Sequence, residues 1–351
     1  MEDAGVAPSD IDGMVTFGSD TNDELQLMTT LGIPVLHWTS RTPGGGGHSA
    51  GNIQLAAAAV ASGAAQAVLV YRAFNERSGR RFGQPQPGAG GRGARPAGSS
   101  WNMYLPYGLD TPAKMYALWF HAYMQRYGVT NEDFGRYTVV ARQYAATNPR
   151  AWFYGRPITL EDHQASRWIV EPVIRLLDCC QESDGGVAMV VTTAERARDL
   201  RQPVVRIAAA TQAHTINGDM TFNYWHPDLA VHHEAQHAAE AVYRVAGVGA
   251  DDIDVGIIYE NFSPVVFYQL EAFGFCAPGE AKDFIADGNI SQGGKLPVNT
   301  HGGLLGEGYI HGMNNVIEGT RQLRGTAANQ VDGVEHVLVA SGRSAIILRG
   351  A

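Results

Sequence analysis

The feature that most limits what this chain can fold into is an internal echo. Ala4-Gly5-Val6, followed by Asp10-Ile11-Asp12, recurs as Ala246-Gly247-Val248 followed by Asp252-Ile253-Asp254. The offset is 242 for both pieces (246 − 4 and 252 − 10), with no gap. Each copy reads as a helix ending at glycine, a short acidic turn and an apolar strand. The strands are Gly13-Met14-Val15-Thr16-Phe17 and Val255-Gly256-Ile257-Ile258-Tyr259. Beyond each strand a Gly-rich turn opens a helix of small residues. The first turn is Gly44 to Gly51, with its helix from Asn52 to Gly63; the second starts at Gly302-Gly303 and its helix runs to Gly325. Apolar strands follow both, Ala67-Val68-Leu69-Val70-Tyr71 and Val337-Leu338-Val339-Ala340. Four features repeated in one order predict an α/β protein of two similar halves.

The halves are not equal. A helix from about His232 to Val245 precedes the second echo, whereas the first begins at the tail of the matching helix, at Met1. The duplicated plan therefore predicts that a strand and most of a helix are missing at the N-terminus: either the start lies internally, or something else covers the gap. Between the halves, residues 74–103 mix Arg77, Arg80, Arg81, Arg92 and Arg95 with Gly, Pro and Ser, as a long loop does. It reads equally as a solvated insertion or as a basic lid over an anionic ligand. Residues 111–148 read as helices, and Asp184-Gly185-Gly186 turns into a buried strand through Val191. The expected division is 1–73 with 174–210 as one half, 74–173 as the insertion, and 211–351 as the other half.

Composition narrows the function. Lys+Arg 26 against Asp+Glu 35 leaves a formal charge of −9, which argues against general nucleic-acid binding. No apolar run approaches the roughly 20 residues of a membrane span. Three cysteines, two of them adjacent, make no disulfide framework, so a reducing cytoplasmic setting is expected.

Few motifs hold up. His233-Glu234-Ala235-Gln236-His237 matches the HExxH zinc pattern, but no third ligand motif follows, and the helix leads straight into the second echo. No metal is expected. The 44–51 glycines give neither G-x-G-x-x-G nor a P-loop ending, so no nucleotide cofactor is expected. What survives is a helix N-terminus with backbone donors suited to an oxyanion. Cys179 and Cys180 lie in an apolar stretch away from any histidine, as packing residues. Tyr259 ends a core strand, Tyr309 opens the second Gly-rich helix two residues before His311, and His301 sits in the same turn.

These residues carry a resemblance. Tyr259-Glu260-Asn261-Phe262-Ser263-Pro264, Leu270-Glu271 with Gly274-Phe275-Cys276, and Val298-Asn299-Thr300-His301-Gly302-Gly303 through Gly308-Tyr309-Ile310-His311-Gly312-Met313 resemble the thiolase superfamily, in its lipid-transfer or sterol-carrier branch. The resemblance covers nearly the whole chain. It implies a five-layered αβαβα fold of two duplicated halves with an inserted loop domain. The thiolase nucleophilic cysteine has no counterpart between Gly45 and Ser49; Tyr259 stands where thiolases have asparagine, Tyr309 where they have the catalytic histidine, and Ala340-Ser341 where they have a second cysteine. This set of replacements is similar to that of the steroid side-chain-cleaving aldolases, which split β-hydroxyacyl-CoA thioesters beside an OB-fold/zinc-ribbon partner.

The resemblance implies a retro-aldol lyase releasing a 17-keto steroid and propionyl-CoA, with no cofactor beyond the substrate's own CoA. Tyr259 and Tyr309 would transfer the protons, which of them is base being left open. His301 or His311, with donors of the Gly-rich helix start, would hold the enolate oxygen. Arg80, Arg81 and Gly303 are the candidate CoA contacts. A homodimer with the OB-fold partner, in an α2β2 assembly, is the implied state. The alternatives are a non-catalytic acyl-CoA or sterol carrier and an aldolase acting on a 22-hydroxy side chain.

Overall fold

Strand β1 (Gly13–Phe17) is buried along its whole length, which requires cover on both faces. The computed structural model, which describes residues 1–79, 81, 83–84, 104–216, 226 and 228–351, supplies that cover. β1 lies between β2 (Trp38–Thr42) and β3 (Ala67–Asn75), parallel to both. A small hairpin of β4 (Trp168–Val170) with β5 (Ile174–Arg175) spans the end of the insertion. β6 (Asp184–Thr192) then returns antiparallel along β3, closing a sheet of order β2-β1-β3-β6.

The second sheet is built from β7 (Arg206–Gln212), β8 (Val255–Ile258), β9 (His336–Ala340) and β10 (Ser344–Arg349), in the order β7-β10-β9-β8. β8 runs parallel to β9 and β9 antiparallel to β10, as β1, β3 and β6 do. Even β2 has a counterpart: Gly256 pairs in parallel with Val298, as Met14 pairs with Thr39. The echo in the sequence is thus an echo in hydrogen bonding. One boundary moves. Residues 206–210, placed with the first half from sequence, lie in β7, which pairs antiparallel with β10 and satisfies its outer edge. Among the described residues, no strand flanks β6 in the equivalent place.

Two helices fill the space between the sheets, Ser49–Ala61 and Met313–Arg324. Their Ala50, Ile53, Ala56, Met313 and Val316 pack with Val15 and Val68 of one sheet and Ile257, Val339 and Ile346 of the other. Small residues permit this closeness. A Cβ at Gly319 would come within 3.1–3.3 Å of Val339, Val337 and Leu348. Outside the first sheet lies the helix Glu24–Leu31, against Met14, Leu69 and Tyr71. Outside the second lie the helices His233–Ala246 and Pro264–Ala272, with the inserted helices Pro112–Tyr127 and Asn131–Thr147 packed beyond. Helix, sheet, helix, sheet, helix: the expected five layers are present. The inserted helices begin where the sequence signals it, Thr111 before Pro112 and Thr130 in a capping box with Asp133.

The second Gly-rich segment differs from its reading as one helix to Gly325. It forms a single turn, Gly303–Gly306, then a loop, then Met313–Arg324. Gly308 (φ 158°), His311 (φ 49°) and Gly312 (φ 75°) leave the helical region and break it. No helix among the described residues is long and apolar enough to cross a membrane.

Ile257 is fully buried between the sheets. Ile257→Ala is expected to lower unfolding free energy by about 2–5 kcal/mol in denaturant titrations, because the rigid layers on either side cannot collapse into the cavity.

Candidate active site

The end of β8 is tied to the Gly-rich turn by buried polar groups. Asn299, itself at φ 54°, accepts from Ile258 N at 2.7 Å and donates to Ile258 O at 2.8 Å and to the Tyr137 hydroxyl at 2.7 Å. Glu260 is fully buried, and its Oε1 accepts from Leu304 N at 2.8 Å. Burial pushes the Glu260 carboxyl up to about 8, against the lowering effect of the backbone donors of Leu304 and Leu305. This connection sets where Tyr259 leaves the strand and where the loop carrying Tyr309 begins.

Tyr309 is positioned from the other half. Its N–H donates to Ser183 Oγ at 3.1 Å, and Ser183 in turn donates to Gln181 O at 2.7 Å, just before β6. The two tyrosine hydroxyls then meet at 2.8 Å, with both rings buried alongside Leu304, Phe74 and Cys180. Burial holds both phenols well above the usual tyrosine range. Tyr116 raises Tyr259 further while the hydrogen bond with Tyr309 lowers it, and Tyr259 raises Tyr309. The pair is neutral and hydrogen-bonded, so each phenol can pass a proton to the other.

The turn before the central helix Ser49–Ala61 closes over this pair. A Cβ on Gly46 would lie 2.1 Å from Tyr259 Cε2, and one on Gly312 2.8 Å from Tyr259 Cδ2. Only glycine admits the ring at both places. Ser49 Oγ and Ser341 Oγ meet at 2.5 Å, joining the start of the central helix to the turn between β9 and β10. Among the described residues no side chain caps the helix Ser49–Ala61, and its first N–H is given to Gly46 O by the short turn Gly46–His48 that leads into it. His311 stands edge-on to Tyr309 with centroids 5.2 Å apart, and its Nδ1 accepts from Arg72 Nε at 3.1 Å. Burial, then the Arg72 charge, holds His311 well below the usual histidine range, so the ring is neutral.

The remaining candidates fall elsewhere. His301 is fully buried with Nε2 3.2 Å from Asn315 Oδ1 and 3.9 Å from Glu307 Oε2, in a network that continues through Thr300, Glu318 and Gln322. At Gly303 (φ 64°) a Cβ would come 1.7 Å from Glu260 Oε1: this glycine makes room for a carboxylate of the chain itself, which also occupies the Leu304 donor. Arg81 pairs with Glu182, while Arg80, Arg92 and Arg95 lie outside the described residues. A cavity of about 510 Å³ lined by Arg150, Trp152, Ser183, Gly308, Asn314 and Arg321 opens beside the Tyr309 loop.

The HExxH residues diverge. The His237 side chain is 61% exposed beside Glu240, whereas Glu234 is buried against His232, His226 and Arg343. Although burial opposes it, the His232 hydrogen bond and the Arg343 charge hold the Glu234 carboxyl well below its usual range. Burial pushes all three thiols up, Cys276 to about 12 and the others further, which leaves no thiolate for acyl transfer.

Arg72 was missed in the sequence, where the strand reading stopped at Tyr71. The signal was present, since a charged residue inside an apolar strand run must find a buried partner.

Two similar sheets layered with helices, and a pair of buried phenols in contact where the halves meet, define a thiolase-like α/β protein. A family model described as thiolase C-terminal domain-like matches residues 221–346. The chain is 52% identical over 343 residues to the steroid side-chain-cleaving aldolase of Thermomonospora curvata, covering 97% of this chain and 87% of that protein. It is 50% identical over 342 residues to 17-hydroxy-3-oxo-4-pregnene-20-carboxyl-CoA lyase of Mycobacterium tuberculosis, covering 97% and 88%. The solved Ltp2-ChsH2(DUF35) aldolase matches with a TM-score of 0.92 at 50% identity, over 99% of this chain and 89% of that one. A monomeric SCP2-thiolase-like protein from Mycobacterium smegmatis, at TM-score 0.71 and 18% identity over 97% of this chain and 69% of that one, shares the fold. The chain belongs to the steroid side-chain-cleaving aldolases, carbon–carbon lyases on a thiolase fold.

Two outcomes follow from the geometry. Glu260 gains its proton on folding, so its contribution to stability is fully present below the unfolded carboxyl pKa of about 4.5 and is lost as pH rises towards about 8. Glu260→Gln keeps an acceptor for Leu304 N and is expected to flatten the denaturation midpoint across that window. Gly46→Ala forces the Tyr259 ring aside and is expected to cut kcat about 100-fold while circular dichroism still reports a folded chain.

Proposed function

We propose that the chain cleaves 17-hydroxy-3-oxo-4-pregnene-20-carboxyl-CoA, a β-hydroxyacyl thioester, into a 17-keto steroid and propionyl-CoA. The observation that carries this reading is the 2.8 Å hydrogen bond between the Tyr259 and Tyr309 hydroxyls, beside the turn that in thiolases carries the nucleophile. Retro-aldol cleavage must take the proton from the C17 alcohol, move the C17–C20 electron pair into the thioester as an enolate, and protonate C20. Two bonded phenols complete this without either being ionised at rest. The alcohol proton passes to one phenol oxygen, that phenol's own proton crosses to the other, and the second phenol protonates C20. Both end neutral, which suits phenols whose ionisation burial opposes.

His311, in edge contact with Tyr309 and against the Gly45 turn, is the proposed donor to the enolate oxygen. His301 serves in the Thr300–Glu318 network that holds the turn. Arg80 and Arg81 are the proposed contacts of the CoA phosphates, Gly303 acting only by admitting Glu260. CoA arrives with the substrate, and the chemistry calls for no resident cofactor. The match to the Ltp2-ChsH2(DUF35) aldolase supports an OB-fold/zinc-ribbon partner of the DUF35 kind, on a homodimeric core in an α2β2 assembly.

The test is Tyr259→Phe and Tyr309→Phe in the co-purified complex, following 17-ketone release by mass spectrometry. Each is expected to lower kcat about 10²- to 10⁴-fold with thioester binding retained. Near-normal turnover in both variants overturns the assignment.

A further inference from the structure

The bond between Arg72 and His311 fixes more than a position. Arg72 is buried in β3, and its Nε lies 3.1 Å from His311 Nδ1. A guanidinium stays protonated and offers only donors, so Nε–H donates and Nδ1 accepts. An imidazolium has no lone pair to receive it, and a neutral ring protonated on Nδ1 would set two hydrogens against each other. The form that fits is a neutral ring with its proton on Nε2.

Arg72 is itself immobilised. Its Nη1 lies 2.9 Å from Asp20 Oδ2, both side chains almost wholly buried, and Asp20 is held by Thr16 and Asn22. The guanidinium also lies over the Phe74 ring at 4.4 Å. The protonated edge of His311 faces the turn of the first half: a Cβ on Gly45 would stand 3.6 Å from Nε2. The ring therefore stands at the junction of the halves, edge-on to Tyr309.

We propose that Arg72 is a positioning residue that holds His311 as a neutral Nε2–H donor to the thioester oxygen while the enolate forms. This rests on the lyase reading above and adds the tautomer and its cause. A neutral donor stabilises the developing oxyanion without giving it a proton, which leaves the protonation of C20 to the tyrosines. The Arg72 charge behind the ring polarises Nε2–H in the same sense.

The tautomer is read without altering Arg72. In ¹⁵N-histidine-labelled full chain, with His311→Asn for assignment, long-range ¹H–¹⁵N correlation is expected to show a pyridine-like Nδ1 and a pyrrole-like Nε2. A protonated Nδ1 overturns the proposal, whether or not the chain cleaves the steroid thioester. Kinetics on 17-hydroxy-3-oxo-4-pregnene-20-carboxyl-CoA supply the second reading. Arg72→Met is expected to lower kcat about 10- to 100-fold with KM changed less than about threefold, as loss of an orienting partner does. Arg72→Lys keeps a donor for Nδ1 and is expected to recover most of that loss. Unchanged kcat in folded Arg72→Met overturns the proposal. Where Arg72→Met alone fails to fold, Asp20→Asn with Arg72→Met removes the stranded carboxylate and is read by the same criterion. Absence of ketone from the unaltered complex strikes the lyase reading instead and leaves the tautomer result standing.

Discussion

Tyr259 lies where it does because two backbone segments without Cβ atoms close on its ring, Gly46 from one half and Gly312 from the other. An alanine at either place overlaps ring carbon, so the approach of the halves and the placement of the phenol are one constraint. Burial also leaves the Tyr259 hydroxyl dependent on a protein partner, since an unpaired buried hydroxyl costs about 1–3 kcal/mol. Tyr309 is that partner. The same contact that satisfies the core brings the two phenols together.

Around the pair, the chain spends buried polar groups on orientation. Glu260 fills the space under Gly303, Asn299 closes the end of β8, and Asp20 with Arg72 backs His311. Each is buried against partners from other segments, so the surroundings of the phenol pair are fixed by the fold. Removing one partner of such a pair leaves the other buried alone, which is why these networks hold geometry more firmly than they add stability.

Much of the scaffold was legible in the chain. The 242-residue echo became two sheets with the same sequence of parallel and antiparallel pairing, and the helices read over 111–148 are present as Pro112–Tyr127 and Asn131–Thr147. Local periodicity and capping are enough for that. The second Gly-rich segment was read as one helix because small residues tolerate helix as well as turn, and only the folded backbone shows Gly308, His311 and Gly312 outside it. His301 and His311 looked equivalent in sequence, ten residues apart. They part because one ring turns to Asn315 and Glu307 and the other to Arg72, a residue 239 positions away.

The sequence by itself determined the duplicated α/β plan, the absence of a cysteine at the first Gly-rich turn, and a tyrosine at the end of a core strand and at the second Gly-rich turn. Those are matters of residue type and local order. Only the tertiary structure decided that the two hydroxyls touch, that Gly303 admits Glu260, and that Arg72 meets His311. Each of these depends on segments brought together from distant parts of the chain, at distances no local pattern encodes.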